Sequence, residues 1–150
     1  MKLTTLILTL TFSLSNLAAT IEIKNLCDDS SYYQESFIIL NDTTVGHITT
    51  FMLENAKIPF VGNENGINSI LNTPTGLDAY EVLADDHMRV YGWCYSVNGK
   101  QPTRLISEYV IDRNKNDHIV WFYGFAEFKA NKWLSYCHPV YKQPTSFICQ

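Results

Sequence analysis

The stretch Gly92 to Gly99, Gly-Trp-Cys-Tyr-Ser-Val-Asn-Gly, constrains the fold of this chain more than any other. With the residue before it, Tyr91, Trp93, Tyr95 and Val97 alternate with Gly92, Cys94, Ser96 and Asn98. Successive side chains of a strand point to opposite faces, so the bulky rings share one face and the small residues the other. Asn98-Gly99 then supplies the positive-φ dipeptide that a tight hairpin turn needs. The answering stretch, Asp117 to Phe125, is apolar at successive positions from Ile119 onward. That predicts a strand covered on both faces. These two strands, with a helix before them, are expected to form the core.

The compartment is read from the first residues. Met1-Lys2 is followed by Leu6, Ile7, Leu8, Leu10, Phe12 and Leu14 among threonines and serines, ending at Leu17-Ala18-Ala19. A basic start, an apolar middle too short to span a bilayer and small residues at the end describe a secretory leader, residues 1–19, cleaved after Ala19. Residues 20–150 are then one domain, with a tail from about residue 129. Hydrophobic residues make up 46% and charged residues only 17%, which favours a packed core over disorder. The net charge is −4 and no basic stripe is present, so nucleic acid is a poor partner. No later segment is long and apolar enough to span a membrane.

Four cysteines, Cys27, Cys94, Cys137 and Cys149, predict two disulfides in an exported chain. Three pairings are open. Cys94 is expected to pair with Cys137 and Cys27 with Cys149, because residues 137–149 read as a tail that needs tying down. A metal reading is weak: there is no CxxC, and Cys137-His138 lacks a second ligand pair at a usual spacing. Nothing in the sequence requires a cofactor.

Taken in order, Ile21 to Lys24 alternates as a half-buried first strand, and Ser36 to Leu40 reads as the second. Asn41 to Thr44 offers helix N-cap candidates. The following helix places Val45, Ile48, Met52 and Ala56 on one side with Phe51 beside them, and ends before Pro59. Gly46 and the threonines give it poor intrinsic propensity, so packing must hold it. A short strand is expected at Ile67 to Leu71, and residues 77–88 fit a helical turn or a strand. Strands follow at Arg89–Asn98, around Tyr109–Ile111, and at Ile119–Phe125. Trp133 and Tyr136 are expected on the outside of the sheet.

Strand, strand, helix and then several strands is the order of a β-grasp, an α+β fold with a mixed sheet packed on one main helix. From about Ile21 to Phe128 the chain resembles the transcobalamin-like C-terminal domain family. The helix Thr43 to Ala56, the short strand Ile67 to Asn72, the hairpin Trp93-x-Tyr95-x-Val97-Asn98-Gly99 and the strand Asp117-x-Ile119-x-Trp121-x-Tyr123 carry the resemblance. Asn116 stands where the family usually has glycine before the aspartate, and asparagine tolerates that turn. The resemblance implies a β-grasp. In the larger cobalamin carriers such a domain closes over the corrin ring together with a helical domain, which this chain lacks. No catalytic residue comes with the family.

Asp112 to Asp117 opens like a calcium loop, but Asp117 and Tyr123 stand where glycine and glutamate are needed, so it reads as a turn. Asp85-Asp86-His87 puts carboxylates beside an imidazole, a possible acid/base site only if a loop turns adjacent residues together. Trp93, Tyr95, Trp121 and Tyr123 form one aromatic face if their sidedness agrees. Such a face either packs on the helix, the ordinary role of large rings in a small domain, or takes a ligand, with Asn72 and Asn98 beside it. Tyr32, Tyr33, Trp133, Tyr136 and Tyr141 are candidates for an exposed patch. Asn41-Asp42-Thr43 is a glycosylation sequon for a eukaryotic host.

The expected function is a secreted, non-catalytic binding domain. Its ligand would be a small molecule, cobalamin-like or otherwise conjugated, or an extracellular or envelope protein. The alternatives are a small secreted hydrolase using Asp85-Asp86-His87, or a purely structural envelope component.

Overall fold

Strand His118–Lys129, β9 in chain order, is the axis of the molecule. In the computed structural model, which describes residues 18–149, the strands are β1 (Ala18–Lys24), β2 (Ser31–Ile38), β3 (Thr43–Thr44), β4 (Phe60–Asn63), β5 (Gly66–Ile70), β6 (Tyr80–Ala84), β7 (His87–Val97), β8 (Val110–Ile111), β9 and β10 (Lys132–Pro139). One α-helix, α1 (Val45–Asn55), and two 3₁₀ turns, Gly76–Ala79 and Val140–Lys142, complete the fold. The expected leader lies outside the described residues except for Ala18 and Ala19, which open β1.

The main sheet runs β2-β1-β9-β7-β6. β7 pairs antiparallel with β9 along nearly its whole length, from His87↔Lys129 to Val97↔Ile119. The other edge of β9 is shared. β1 pairs parallel with its first half, Thr20↔His118 to Ile23↔Trp121. β10 pairs antiparallel with its second half, Lys132↔Lys129 to Pro139↔Gly124. A strand with neighbours on both edges and cover on both faces explains why Ile119 to Phe125 is apolar throughout. The result is a mixed sheet, mostly strand, with a single α-helix among the described residues.

α1 crosses one face. Its Thr44 N-cap hydroxyl accepts the His47 backbone N–H at 3.2 Å, and the chain turns out of the helix at Ala56, before Pro59. Val45, Ile48 and Met52 are buried as their spacing predicts, joined by Leu53, while Phe51 is exposed. They pack on Ile21, Ile23, Ile119 and Trp121. Burial of these side chains, each worth about 1.5–3 kcal/mol, compensates for the helix's poor intrinsic propensity.

The helix covers only half of that face. Over the other half lies a second cluster of Ala79, Tyr91, Tyr123, Phe125 and Val140. The C-terminal segment seals it: Phe147 stacks on Tyr91 at 5.2 Å, and the Tyr91 hydroxyl bonds Thr145 at 3.0 Å. Disulfides join Cys27 to Cys149 and Cys94 to Cys137, the pairing expected from the tail.

Strand β2 and the C-terminal segment differ from their sequence-based expectation. β2 runs Ser31–Ile38 rather than Ser36–Leu40, because the polar run Tyr32 to Ser36 alternates and its Tyr33 and Phe37 pack against the core. The segment from about residue 129 opens with strand β10. After the Asn98-Gly99 turn the chain runs through a loop to β8 and returns as β9, the expected order. Among the described residues no helix is long and apolar enough to cross a membrane.

Candidate functional site

The sidedness of the aromatic residues agrees. Trp93 pairs with Tyr123, Tyr95 with Trp121 and Tyr91 with Phe125, so the rings form a ladder on the helix side of the sheet. Ring centroids are 5.6 Å apart in both the Trp93–Tyr123 and the Tyr95–Trp121 pair. Each polar tip is bonded, as buried tips must be. Trp121 donates to the Thr49 hydroxyl at 3.0 Å, Tyr123 to the Pro74 carbonyl at 3.1 Å, Trp93 to the Thr73 hydroxyl at 2.8 Å and Tyr95 to the Arg104 carbonyl at 2.7 Å. Trp121 is 2% exposed and Tyr123 1%, so no ligand stacks on their faces without opening the core. Burial, with Tyr91 adding to it, pushes the Tyr123 phenol up to about 12. Trp93 and Tyr95 are half-buried.

Both lie where no strand pairs with the outer edge of β7. β6 pairs with β7 only as far as Val90. Beyond that, the β4–β5 hairpin and the segments around 73–76 and 101–106 leave two clefts. One, of about 270 Å³, is lined by Trp93, Tyr95, Ile67, Gln101 and Arg104, with an edge of Trp121. The other, of about 450 Å³, is lined by Tyr91 to Trp93, Asn68 and Pro74 to Gly76. Trp93 contributes to both.

The two asparagines stand apart from this edge. Asn72 is exposed in a left-handed turn after β5, at φ 57°. Asn98 staples the ends of β7 and β9: its amide donates to Asp117 at 2.8 Å, and its oxygen accepts the His118 N–H at 2.9 Å. Thr73, Gln101 and Arg104 were not foreseen, because they come from irregular segments whose path no periodicity sets.

Asp85 and Asp86 are exposed in the β6–β7 turn, and neither forms an ion pair or hydrogen bond with His87 among the described residues. The His87 Nε2 instead meets Glu127 Oε1 at 2.7 Å, across the sheet from the sequence neighbours it was grouped with. Arg89 lies 3.5 Å from both Glu127 and Glu81. The bond from His87, with help from Arg89 and against burial, holds the Glu127 carboxyl below its usual range. No hydroxyl or thiol nucleophile bonds to His87 among the described residues. In the Asp112–Asp117 turn, the Asp112 carboxylate accepts the Asn114 N–H at 2.9 Å and pairs with Lys115 at 3.4 Å.

A second polar cluster lies on the opposite face of the sheet. Glu22, buried at 6% exposure, meets Lys24 at 2.9 Å and His118 at 2.9 Å and accepts the Ser31 hydroxyl. Burial alone would raise its pKa, but these partners outweigh it and hold the carboxyl below its usual range.

Residues 75–124, from just before β6 to the middle of β9, match the family described as a domain of unknown function (DUF4430). The match contains the hairpin motif and the whole outer edge of β7. No curated protein matches the chain, and no solved structure matches it.

Proposed function

We propose that the mature chain is an exported, non-catalytic binding domain of transcobalamin-like, β-grasp type, and that its ligand lies along the outer edge of β7. The carrying observation is Trp93, a half-buried ring in the wall of two clefts inside the matched segment. Concave sites with aromatic walls and a few polar groups are the usual form of a ligand pocket. The β-grasp reading is supported by the parallel β1–β9 pair at mid-sheet with one helix across the face. Export is supported by the leader-like start and by the two disulfides.

The experiment is a titration of the purified oxidised protein with cobalamin, a panel of tetrapyrroles and a random-peptide library, followed by tryptophan fluorescence and melting temperature. A ligand selective for the folded state raises the melting temperature by mass action. Quenching that vanishes in Trp93→Phe and survives in His87→Ala supports the β7 edge. Substrate turnover that is lost in His87→Ala while the fold persists would replace this reading with the hydrolase.

A further inference from the structure

The geometry points to an extended, uncharged peptide segment as the occupant of the β7 edge, added as a short extra strand with a large apolar side chain seated over Gly92. This rests on the β7 edge being the binding site. The Asn98 N–H donates to His118 O at 2.8 Å, and Val97 stands opposite Ile119. In an antiparallel pair alternate residues bond across, so the even-numbered residues of β7 face β9 and the odd-numbered ones turn their N–H and C=O outward. Arg89 is met there by Glu81 of β6, and Val97 by Lys100. Between them, among the described residues, no strand pairs with Tyr91 and Trp93; β5 comes near β7 without forming a ladder with it. Two donors and two acceptors are therefore presented at ladder spacing along the cleft of about 450 Å³. An extended polypeptide supplies the complementary groups at that spacing. The edge also lacks the guards that lie within a strand: Tyr91 to Tyr95 holds no lysine or proline, and its register with β9 is unbroken.

Gly92 gives the added strand its specificity. Glycine in a strand interior weakens the strand and often marks close approach of another group. Gly124, directly opposite, has such a reason within the fold, since a Cβ there would lie 3.0 Å from the His138 carbonyl oxygen. Gly92 has none: its φ is not left-handed and a Cβ there would meet nothing within 4 Å. The bare backbone instead floors a hollow of about 260 Å³ walled by Val90, Ala126, Tyr136 and Cys137. A residue paired with Gly92 on an added strand would project its side chain to this same face. No charged side chain lines the hollow or the adjoining cleft, so charge complementarity selects a neutral apolar residue.

The probe is a displayed library of random heptapeptides selected on the oxidised protein. The enriched peptides are expected to share one large apolar residue, and N-methylation of the backbone beside it is expected to abolish binding. Amide exchange at Tyr91 and Trp93 is expected to slow in the complex. Gly92→Val, which fills open space, is expected to keep or raise the melting temperature and to weaken binding at least tenfold. Enrichment of no peptide, or equal affinity for Gly92→Val, overturns the proposal. If cobalamin or a tetrapyrrole still quenches Trp93 in that case, the β7 edge stands as a small-molecule site; if nothing perturbs Trp93, both readings fall. Concentration-dependent dimerisation that is lost in Gly92→Val assigns the edge to a second copy and also overturns the peptide.

Discussion

Trp121 and Thr49 meet across the interface between sheet and helix, the indole N–H donating to the hydroxyl at 3.0 Å with both residues buried. This bond fixes the rotation of α1 over the sheet, because Thr49 lies on the same face of the helix as Val45 and Met52. Thr49→Val keeps the shape and removes the acceptor, leaving a buried N–H without a partner. Such a loss costs about 1–3 kcal/mol. Urea unfolding should show a lower midpoint with an unchanged slope; an unchanged midpoint would mean that the bond contributes nothing.

The turn after β7 offers a test of backbone strain alone. Gly99 has φ 75°, and a Cβ there meets no atom within 4 Å, so a side chain would clash with nothing outside the turn. Gly99→Val should still destabilise by roughly 1–2 kcal/mol, the cost of holding an L-residue left-handed. Gly99→Asn should recover most of it, since asparagine tolerates that region. Equal unfolding midpoints for the valine and asparagine variants would refute the strain argument.

Acid should act through Glu22. Its folded-state pKa is lowered, so its stabilisation is fully present above the ordinary carboxyl value of 4.5 and is lost as pH falls through the folded value. Glu22→Gln should therefore lower stability at neutral pH by about 1.5–3 kcal/mol, the range for hydrogen bonds to charged groups. Its stability curve should also be flatter below pH 4.5. Parallel wild-type and variant curves from pH 7 to 3 would show that the carboxylate is not responsible.

Strand alternation made most of the fold legible. Tyr91 to Val97 and Ile119 to Phe125 were read as neighbouring strands, and their aromatic faces coincide because period two assigns faces without knowledge of the partner. The helix from Val45 was legible through its i, i+3, i+4 spacing. Gly46 was read only as a propensity defect, yet a Cβ there would lie 2.0 Å from the Glu64 carbonyl oxygen, so it admits the β4–β5 hairpin. The site was less legible. The aromatic residues named in advance include both sealed and half-buried rings, because alternation cannot tell which half of a face the helix and tail will cover. Trp121 and Tyr123 are sealed while Trp93 stands at an edge. That edge exists because β6 stops pairing at Val90, a property of strand length across space that no local pattern encodes. For the same reason His87 was grouped with Asp85 and Asp86, its sequence neighbours, when its partner is Glu127 on another strand.

The C-terminal segment owes its place to one covalent tie. Residues 145–149 lie over Tyr91 through the Thr145 hydrogen bond and the Phe147 stack, and Cys149 is bonded to Cys27 beyond β1. Intact mass should rise by about four hydrogens on full reduction, as two bridges require. The paired substitution Cys27→Ala with Cys149→Ala should lower stability by about 2–5 kcal/mol, the range for loss of a native disulfide in a small exported domain. It should also free the segment, so that amide exchange quickens from Thr145 onward and an apolar dye binds over Tyr91 and Phe125. Cys94→Ala with Cys137→Ala should not free the segment, because that bridge lies on the other face of the sheet. Dye binding that rises equally in both paired variants would show general loosening of the domain, not release of the segment, and would remove the role assigned to Cys27–Cys149.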